Sequence, residues 1–317
     1  MEMEMEMVVD GNGVPQSPHT LSAKYSTMAA APPSNPHLPS NPHTLDSVGP
    51  LGTPPKEMQL LSCTKADLYN IALLEHLAFE HDEFSDLALG RERGSEESLG
   101  VRMKQFAKFL EQGEQSQRVG EGVLAGGWYT KAVVWEGGKE VMVGVAGWSL
   151  GSGKTVGEGE REVDSVPDVS EVSKVKTREE LDEIWGKGSN AQLCEDVFVR
   201  GDEYISEACG DRPWLKLNIL VVHPKYQRLG IGTRLLEQGI QFADAKGLQT
   251  VLGASPWGIG LYRKYGFVDV HVMDIRLDEY EGGEGMGRTS HVIMRRQSRV
   301  EVEEKNGTGT GVEPCGI

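Results

Sequence analysis

Cysteine is scarce, and the four present, Cys63, Cys194, Cys209 and Cys315, match no zinc or redox spacing. Scattered free thiols in a reducing compartment are therefore expected. No run of about 18 apolar residues occurs, so no membrane-spanning helix is expected. Basic charge is also short: 32 Lys and Arg stand against 48 Asp and Glu, a net charge of -16. Nucleic-acid binding wants a basic face, so this balance argues against it. Residues 1–58, 151–189 and 298–317 together carry -10 of that charge, so the acidity is mostly peripheral. The opening, MEMEMEMVVD, lacks the basic residues of a signal peptide or organelle presequence. An intracellular location, cytoplasmic or nuclear, is the expectation. The closing PCGI puts Cys315 one position too late for prenylation.

Hydrophobic residues make up 38% of the chain, enough for a real core but below the typical globular share. That pattern suggests polar tails around a compact centre. Residues 1–57 are rich in Pro, Ser, Asn and His and read as a disordered low-complexity tail. His19, His37 and His43 recur there as a metal-binding alternative. A folded domain is expected over 58–297, interrupted by a charged insertion at about 151–189, with a disordered tail over 298–317.

Within the domain, a strand in EMQLLSCT precedes two helical patterns, one over about Asp67 to Leu89 and one carrying Leu99, Met103, Phe106, Ala107 and Leu110. WYTKAVVWE and VMVGVAGWSL flank a Gly-Gly turn and predict a hairpin. Thr177 and Glu180 form a capping-box pattern, predicting a short helix within the insertion. Another helix is expected over Ala191 to about Ala208, and WLKLNILVV is the strongest strand. In the segment after it, Ile231, Leu235, Leu236, Ile240 and Ala243 share one helical face that ends at Lys246 and Gly247. TVLGA is a short strand, PWGIGLYRKYG a short helix opened by Pro256, and FVDVHVMDI and SHVIMRR are two closing strands. The strand–helix–strand step over about 214–254 implies one parallel pair among antiparallel neighbours. The fold class is therefore α/β (α+β): a mixed, mostly antiparallel sheet with helices on both faces.

Gly230 and Gly232 stand where the strongest strand gives way to a helix. A helix start has unpaired amides and a positive dipole end, and glycines let a diphosphate lie against them. A ligand-free tight turn explains the pair equally well. The G-x-x-x-x-G-K-[ST] pattern is absent, and Leu235 stands where a dinucleotide fingerprint would have its third glycine.

Read together, VVHPKYQRLGIGTRLL and ASPWGIGLYRKYGF resemble the two signature motifs of the GCN5-related N-acetyltransferase (GNAT) superfamily. Gln227, Gly230 and Gly232 match Q/R-x-x-G-x-G/A; Leu261, Tyr262, Gly266 and Phe267 match the second motif. The resemblance covers about 212–274 and extends less firmly back to residue 58. It implies the GNAT fold, in which a splayed parallel strand pair forms an acetyl-CoA cleft. It also implies acetyl-CoA-dependent N-acetyl transfer to a primary amine of a small molecule or peptide, by direct attack on the thioester.

Carried residue by residue, the resemblance places the backbone of Leu220, Val221 and Val222 along the pantetheine arm, their side chains being ordinary buried strand. It places the amides of Gln227, Arg228, Leu229, Gly230, Ile231, Gly232 and Thr233 around the diphosphate. Arg228 is either a phosphate contact or a solvated side chain. Ser255 either contacts the pantetheine or caps the next helix. A strand N–H near Leu220 or Val221 would bind the thioester oxygen. Tyr262 is at the family's general-acid position, with packing at a helix–sheet seam as the alternative. The general base has no evident candidate: Lys216 occupies the position of a Glu in some relatives, and Asn218 is a weak base. Glu80, Asp82 or water are the remaining choices, and His223 reads as a turn residue before Pro224. The competing readings are a GNAT-fold sensor or scaffold that binds coenzyme A with little catalysis, and an unrelated phosphate-binding α/β protein. No metal, nucleic acid or membrane is implied, and the sequence names neither the acceptor nor the oligomeric state.

Overall fold

The computed structural model describes residues 57–118, 126–151 and 177–298, with side chains omitted for 112–118. These residues lie within one unit, 50–317. The expected tails and most of the insertion fall outside the described residues, as do His19, His37 and His43.

Strand β1 (Gln59–Ser62) leads into helices α1 (Leu68–Ala78), α2 (Glu83–Leu89) and α3 (Glu96–Arg118). The single helix expected over 67–89 is thus two. The chain leaves helical geometry at Phe79, and the Asp82 carboxylate then accepts from the Ser85 amide at 2.9 Å, capping a new helix. An Asp that bonds its own downstream backbone favours a fresh start over continuation. The hairpin is present as β2 (Gly126–Glu136) and β3 (Lys139–Gly151). Gly137 and Gly138 both adopt left-handed φ, as a two-residue hairpin turn of matching twist requires.

The capping box at Thr177 and Glu180 opens α4 (Arg178–Trp185). Far from hanging free, α4 docks: Gln105 of α3 donates to the Ile184 carbonyl, and the Trp185 ring stacks on Phe198 at 5.8 Å. The helix expected over 191–208 is a continuous run containing a π-turn: α5 (Ala191–Cys194), the π-turn (Glu195–Val199) and α6 (Arg200–Cys209). Then come β4 (Trp214–Val222), α7 (Ile231–Lys246), β5 (Gln249–Ala254), α8 (Ile259–Lys264), β6 (Val268–Arg276) and β7 (Arg288–Arg296). Helix α8 opens later than Pro256 suggests, because a tight turn closes first, with the Gly258 amide bonded to the Ser255 carbonyl at 2.9 Å.

The seven strands form one sheet in the order β1-β2-β3-β4-β5-β7-β6. Only β4 and β5 run parallel; the other described pairs are antiparallel. Residues of α7 and α8, including Leu235, Leu236 and Tyr262, pack on one face with Trp148, Leu215, Leu217 and Leu252. On the other face, α1 and α3 cover Tyr129, Val145 and Val221, and α6 covers Val251 and Ile293. All five apolar α7 positions read from the sequence are buried. Each of its Ile and Leu side chains contributes roughly 1.5–3 kcal/mol by leaving water, so the amphipathic stripe fixes which way α7 faces.

Candidate active site

The parallel pair β4–β5 is joined over four rungs, from Trp214↔Gln249 to Leu217↔Leu252. Beyond Leu217 the register ends, although β4 continues to Val222 and β5 to Ala254. The two strands therefore part as a fork. At its root β4 carries a bulge: Gly147 pairs Ile219 while Trp148 pairs Leu217, which leaves Asn218 as the extra residue. A bulge bends its strand and increases local twist, which turns β4 away from β5.

The direction of the backbone groups in the fork follows from the ladder with β3. The His223 amide bonds to the Val143 carbonyl at 2.9 Å, which marks that pair as hydrogen-bonded. In an antiparallel ladder bonded and non-bonded pairs alternate. Val221 with Val145 is then a bonded pair, while Leu220 with Ala146 and Val222 with Gly144 are not. Leu220 and Val222 thus turn their N–H and C=O groups into the fork, and Val221 spends its own on β3. Of the three residues expected along the pantetheine arm, Leu220 and Val222 turn backbone groups into the fork, and Val221 turns its own to β3. The Val221 side chain is core, as expected.

Beyond β4, His223 accepts from the Lys225 amide at 3.2 Å, closing the turn over Pro224–Tyr226 in the structural role read from the sequence. Gln227 donates from Nε2 to the Val222 carbonyl at 3.1 Å and so ties the loop to the end of the strand. Arg228 is the one non-glycine of positive φ among the described residues, at 64°, and Gly230 follows at 77°. A left-handed Arg costs roughly 1–2 kcal/mol, strain of a kind that clusters at ligand sites. Gly230 is the N-cap of α7 and supplies no side-chain cap. The first intrahelical bond is from Arg234 to the Gly230 carbonyl at 3.1 Å. The amides of Ile231, Gly232 and Thr233 therefore have no partner in their own helix. A Cβ on Gly232 would meet protein only at Val222 Cγ2, 3.6 Å away, an ordinary contact. Packing within the chain does not demand glycine there. The Ile231 side chain points into the core, so its contribution to this turn is its amide. Leu229 packs partly against the same core, and Arg228 is exposed. Donors free on one side, a positive dipole end and absent side chains make a seat that fits a diphosphate, and the fork fits an amide-bearing arm.

The second motif comes alongside. Tyr262 of α8 is buried, with its ring 5.9 Å from Phe267 and its hydroxyl against Gly258, in the turn that begins at Ser255. Burial pushes its phenol well above the ordinary value, so it carries its proton throughout the physiological range. The packing and proton-donor readings of Tyr262 are thus compatible. Ser255 is half-buried at the end of β5 and does not cap α8; the cap residue is Gly258.

The remaining base candidates are occupied or apart. Lys216 pairs with Asp202 of α6, and Asn218 donates to Ser149 Oγ at 2.9 Å. Asp82 caps α2 and also accepts from Ser85 Oγ at 2.6 Å, while Glu80 is exposed. A side chain outside both motifs, His291 in the middle of an ordinary closing-strand pattern, has its ring 4.8 Å from that of Phe84, at the start of α2. Among the described residues no group of His, Cys, Asp and Glu is arranged to hold a metal ion.

Residues 193–269 match the family model for the acetyltransferase (GNAT) domain. That segment holds both motifs, the fork and the amide-lined turn, and the chain accordingly carries a GNAT acetyltransferase domain. No curated protein matches the sequence. Solved structures similar in fold include a histone acetyltransferase HPA2-related protein from Corynebacterium glutamicum (20% identity, 76% of this chain, 97% of that one, TM-score 0.45). Arylalkylamine N-acetyltransferase 2 from Aedes aegypti is another (14% identity, 76% and 99%, TM-score 0.49). A third is Naa20 from Chaetomium thermophilum in complex with a bisubstrate analogue (15% identity, 81% and 93%, TM-score 0.39).

Proposed function

We propose that this protein is an acetyl-CoA-dependent N-acetyltransferase acting on a primary amine of a small molecule or peptide. The observation that carries the reading is the fork between β4 and β5, opening at the Asn218 bulge onto the partnerless amides at the start of α7. Bound acetyl-CoA would supply the acyl group as an activated thioester. The amides of Gln227 to Thr233 would hold its diphosphate. The backbone of Leu220 and Val222 would pair with its pantetheine arm, and Ser255 flanks that arm. The Leu220 N–H, fixed in direction by the ladder, stabilises negative charge on the thioester oxygen; such preorganised donors are worth about 3–4 kcal/mol each. Tyr262 keeps its proton until thiolate charge develops, then donates it.

The second reading, a coenzyme A-binding sensor with little chemistry, is favoured by Lys216 standing where some relatives have Glu. Both readings are separated by following coenzyme A release from acetyl-CoA over a panel of primary amines. The enzyme reading expects at least one amine to raise release far above that of Tyr262→Phe. Tight acetyl-CoA binding with no amine-dependent release would leave the sensor. Failure to prefer coenzyme A over ATP would leave a generic phosphate-binding protein.

A further inference from the structure

The acyl-transfer reading leaves one chemical requirement without a residue. An alkylamine arrives as ammonium and must lose a proton before its nitrogen lone pair can attack. The α7 face of the fork is filled by the largest core cluster, so the acceptor side is the opposite face, walled by α1, α2 and α6. On that face β7 runs on past its last rung with β5, Ala254↔Val292, and the first residue beyond it is His291. It pairs across β6 with Met273 and shares its sheet face with Ile293, under α6. Its ring lies 4.8 Å from the Phe84 ring at the start of α2. The ring is partly exposed overall, yet Nδ1 is fully buried and has no hydrogen-bond partner. An orphaned buried nitrogen costs roughly 1–3 kcal/mol and asks for a reason. Two strand spacings, roughly 10 Å, separate β7 from β4, a span that an acceptor and a bridging water can fill.

We propose that His291, backed by Asp82, is the proton acceptor for the attacking amine. This rests on the acetyltransferase reading above. The N–H bond of the ammonium breaks, its proton passes through water to the imidazole, and the electron pair stays on nitrogen to form the new bond to the acyl carbon. The imidazolium then returns the proton to solvent. Desolvation lowers the imidazole pKa to about 4, so the accepting form is present at neutral pH. Of the charged groups on α2, β6 and the neighbouring helices, Asp82 is the one whose field bears on the ring, and it favours the protonated form. Asp82 is itself held by the Ser85 amide and hydroxyl, so its charge is fixed in place. A base this weak belongs at the low end of the 10²–10⁴-fold range for proton transfer, about 10²-fold.

The test uses the full chain and two probe acceptors, 2-phenylethylamine, which is protonated at neutral pH, and benzhydrazide, which is not. His291→Gln should lose about 10²-fold in kcat with the first probe and only a few-fold with the second. Its acetyl-CoA affinity by calorimetry and its Tm at pH 7 should stay near those of the parent. Asp82→Asn, which keeps the helix cap, should lose less than His291→Gln and in the same probe-selective way. Equal losses with both probes, or none, would overturn the assignment. If acetyl-CoA binds but neither probe is acetylated by the parent, the acetyltransferase reading fails on its own account. In that case ¹⁵N signals of the His291 ring decide the site: movement on adding 2-phenylethylammonium to the acetyl-CoA complex supports it, and an unmoved ring rejects it.

Discussion

Tyr262, Gly230 and Gly232 were each open to two readings in the sequence, and packing separates their roles. Tyr262 is core, its ring filling the α8 seam while its hydroxyl reaches the turn at Gly258, and that placement is compatible with the proton-donor role proposed for it. Tyr262→Phe should keep the fold and lower kcat by about 10²-fold, the lower range for a general acid, with acetyl-CoA affinity changed only a few-fold. Steady-state kinetics beside calorimetry separates the two quantities. Gly230 needs left-handed φ, whereas Gly232 does not. Gly230→Ala should therefore cost about 1 kcal/mol in stability. Gly232→Ala should be tolerated; Gly232→Val should abolish coenzyme A binding while moving Tm little, because its side chain would stand over the amides. A Gly232→Val protein that still binds coenzyme A would remove the diphosphate from this turn. These residues were legible because each motif position does one local job. That Val221 turns its amide to β3 was not legible, because the direction of a strand amide depends on the register with β3, which motif spacing does not carry.

At the scale of elements, α7 illustrates what periodicity does and does not specify. Its buried stripe was readable, but its distance from the sheet was not. Gly239 lies against the Trp148 indole, so close that a Cβ would sit 2.1 Å from the ring. Trp148 is fully buried and central to that cluster, so the ring has nowhere to go. Gly239→Ala should destabilise by roughly 1–3 kcal/mol, the usual cost of overpacking, seen as a lower midpoint in urea unfolding. The split of the first predicted helix into α1 and α2 has a similar origin. Helical periodicity tolerates a break whose two halves both bury apolar side chains, and only Asp82 reaching the Ser85 amide decides where the second begins. The docking of α4 onto α3 was hidden for the same reason: the charged composition of the insertion says nothing of where Trp185 finds a partner.

Across the whole molecule, His291, half-buried with its Nδ1 enclosed, links stability to pH. Its folded pKa of about 4 lies below the ordinary 6.5. As pH falls through 6.5 the unfolded chain takes up a proton that the folded chain refuses until about 4. Stability is thus fully present above about 6.5 and lost progressively on acidification, by up to about 3 kcal/mol. Tm measured at pH 7 and pH 5 should fall less for His291→Gln than for the parent; coincident slopes would assign the acid sensitivity elsewhere. Ligand linkage acts on the same balance: coenzyme A at 100 times its Kd should stabilise the protein by about 2.7 kcal/mol, and ATP at the same concentration should not. What the sequence alone determined were the features set by neighbours along the chain: strand and helix periodicity, turn glycines, a capping box and two motifs at the right interval. Those features sufficed for the sheet's strands, the parallel crossover and the glycine turn that opens α7. The tertiary structure alone decided which backbone groups face the fork, that the fork opens at Asn218, and that the rings of His291 and Phe84, over 200 positions apart, meet. The reason is physical: a register and a meeting of distant side chains come from packing two faces of one sheet, and no local pattern encodes them.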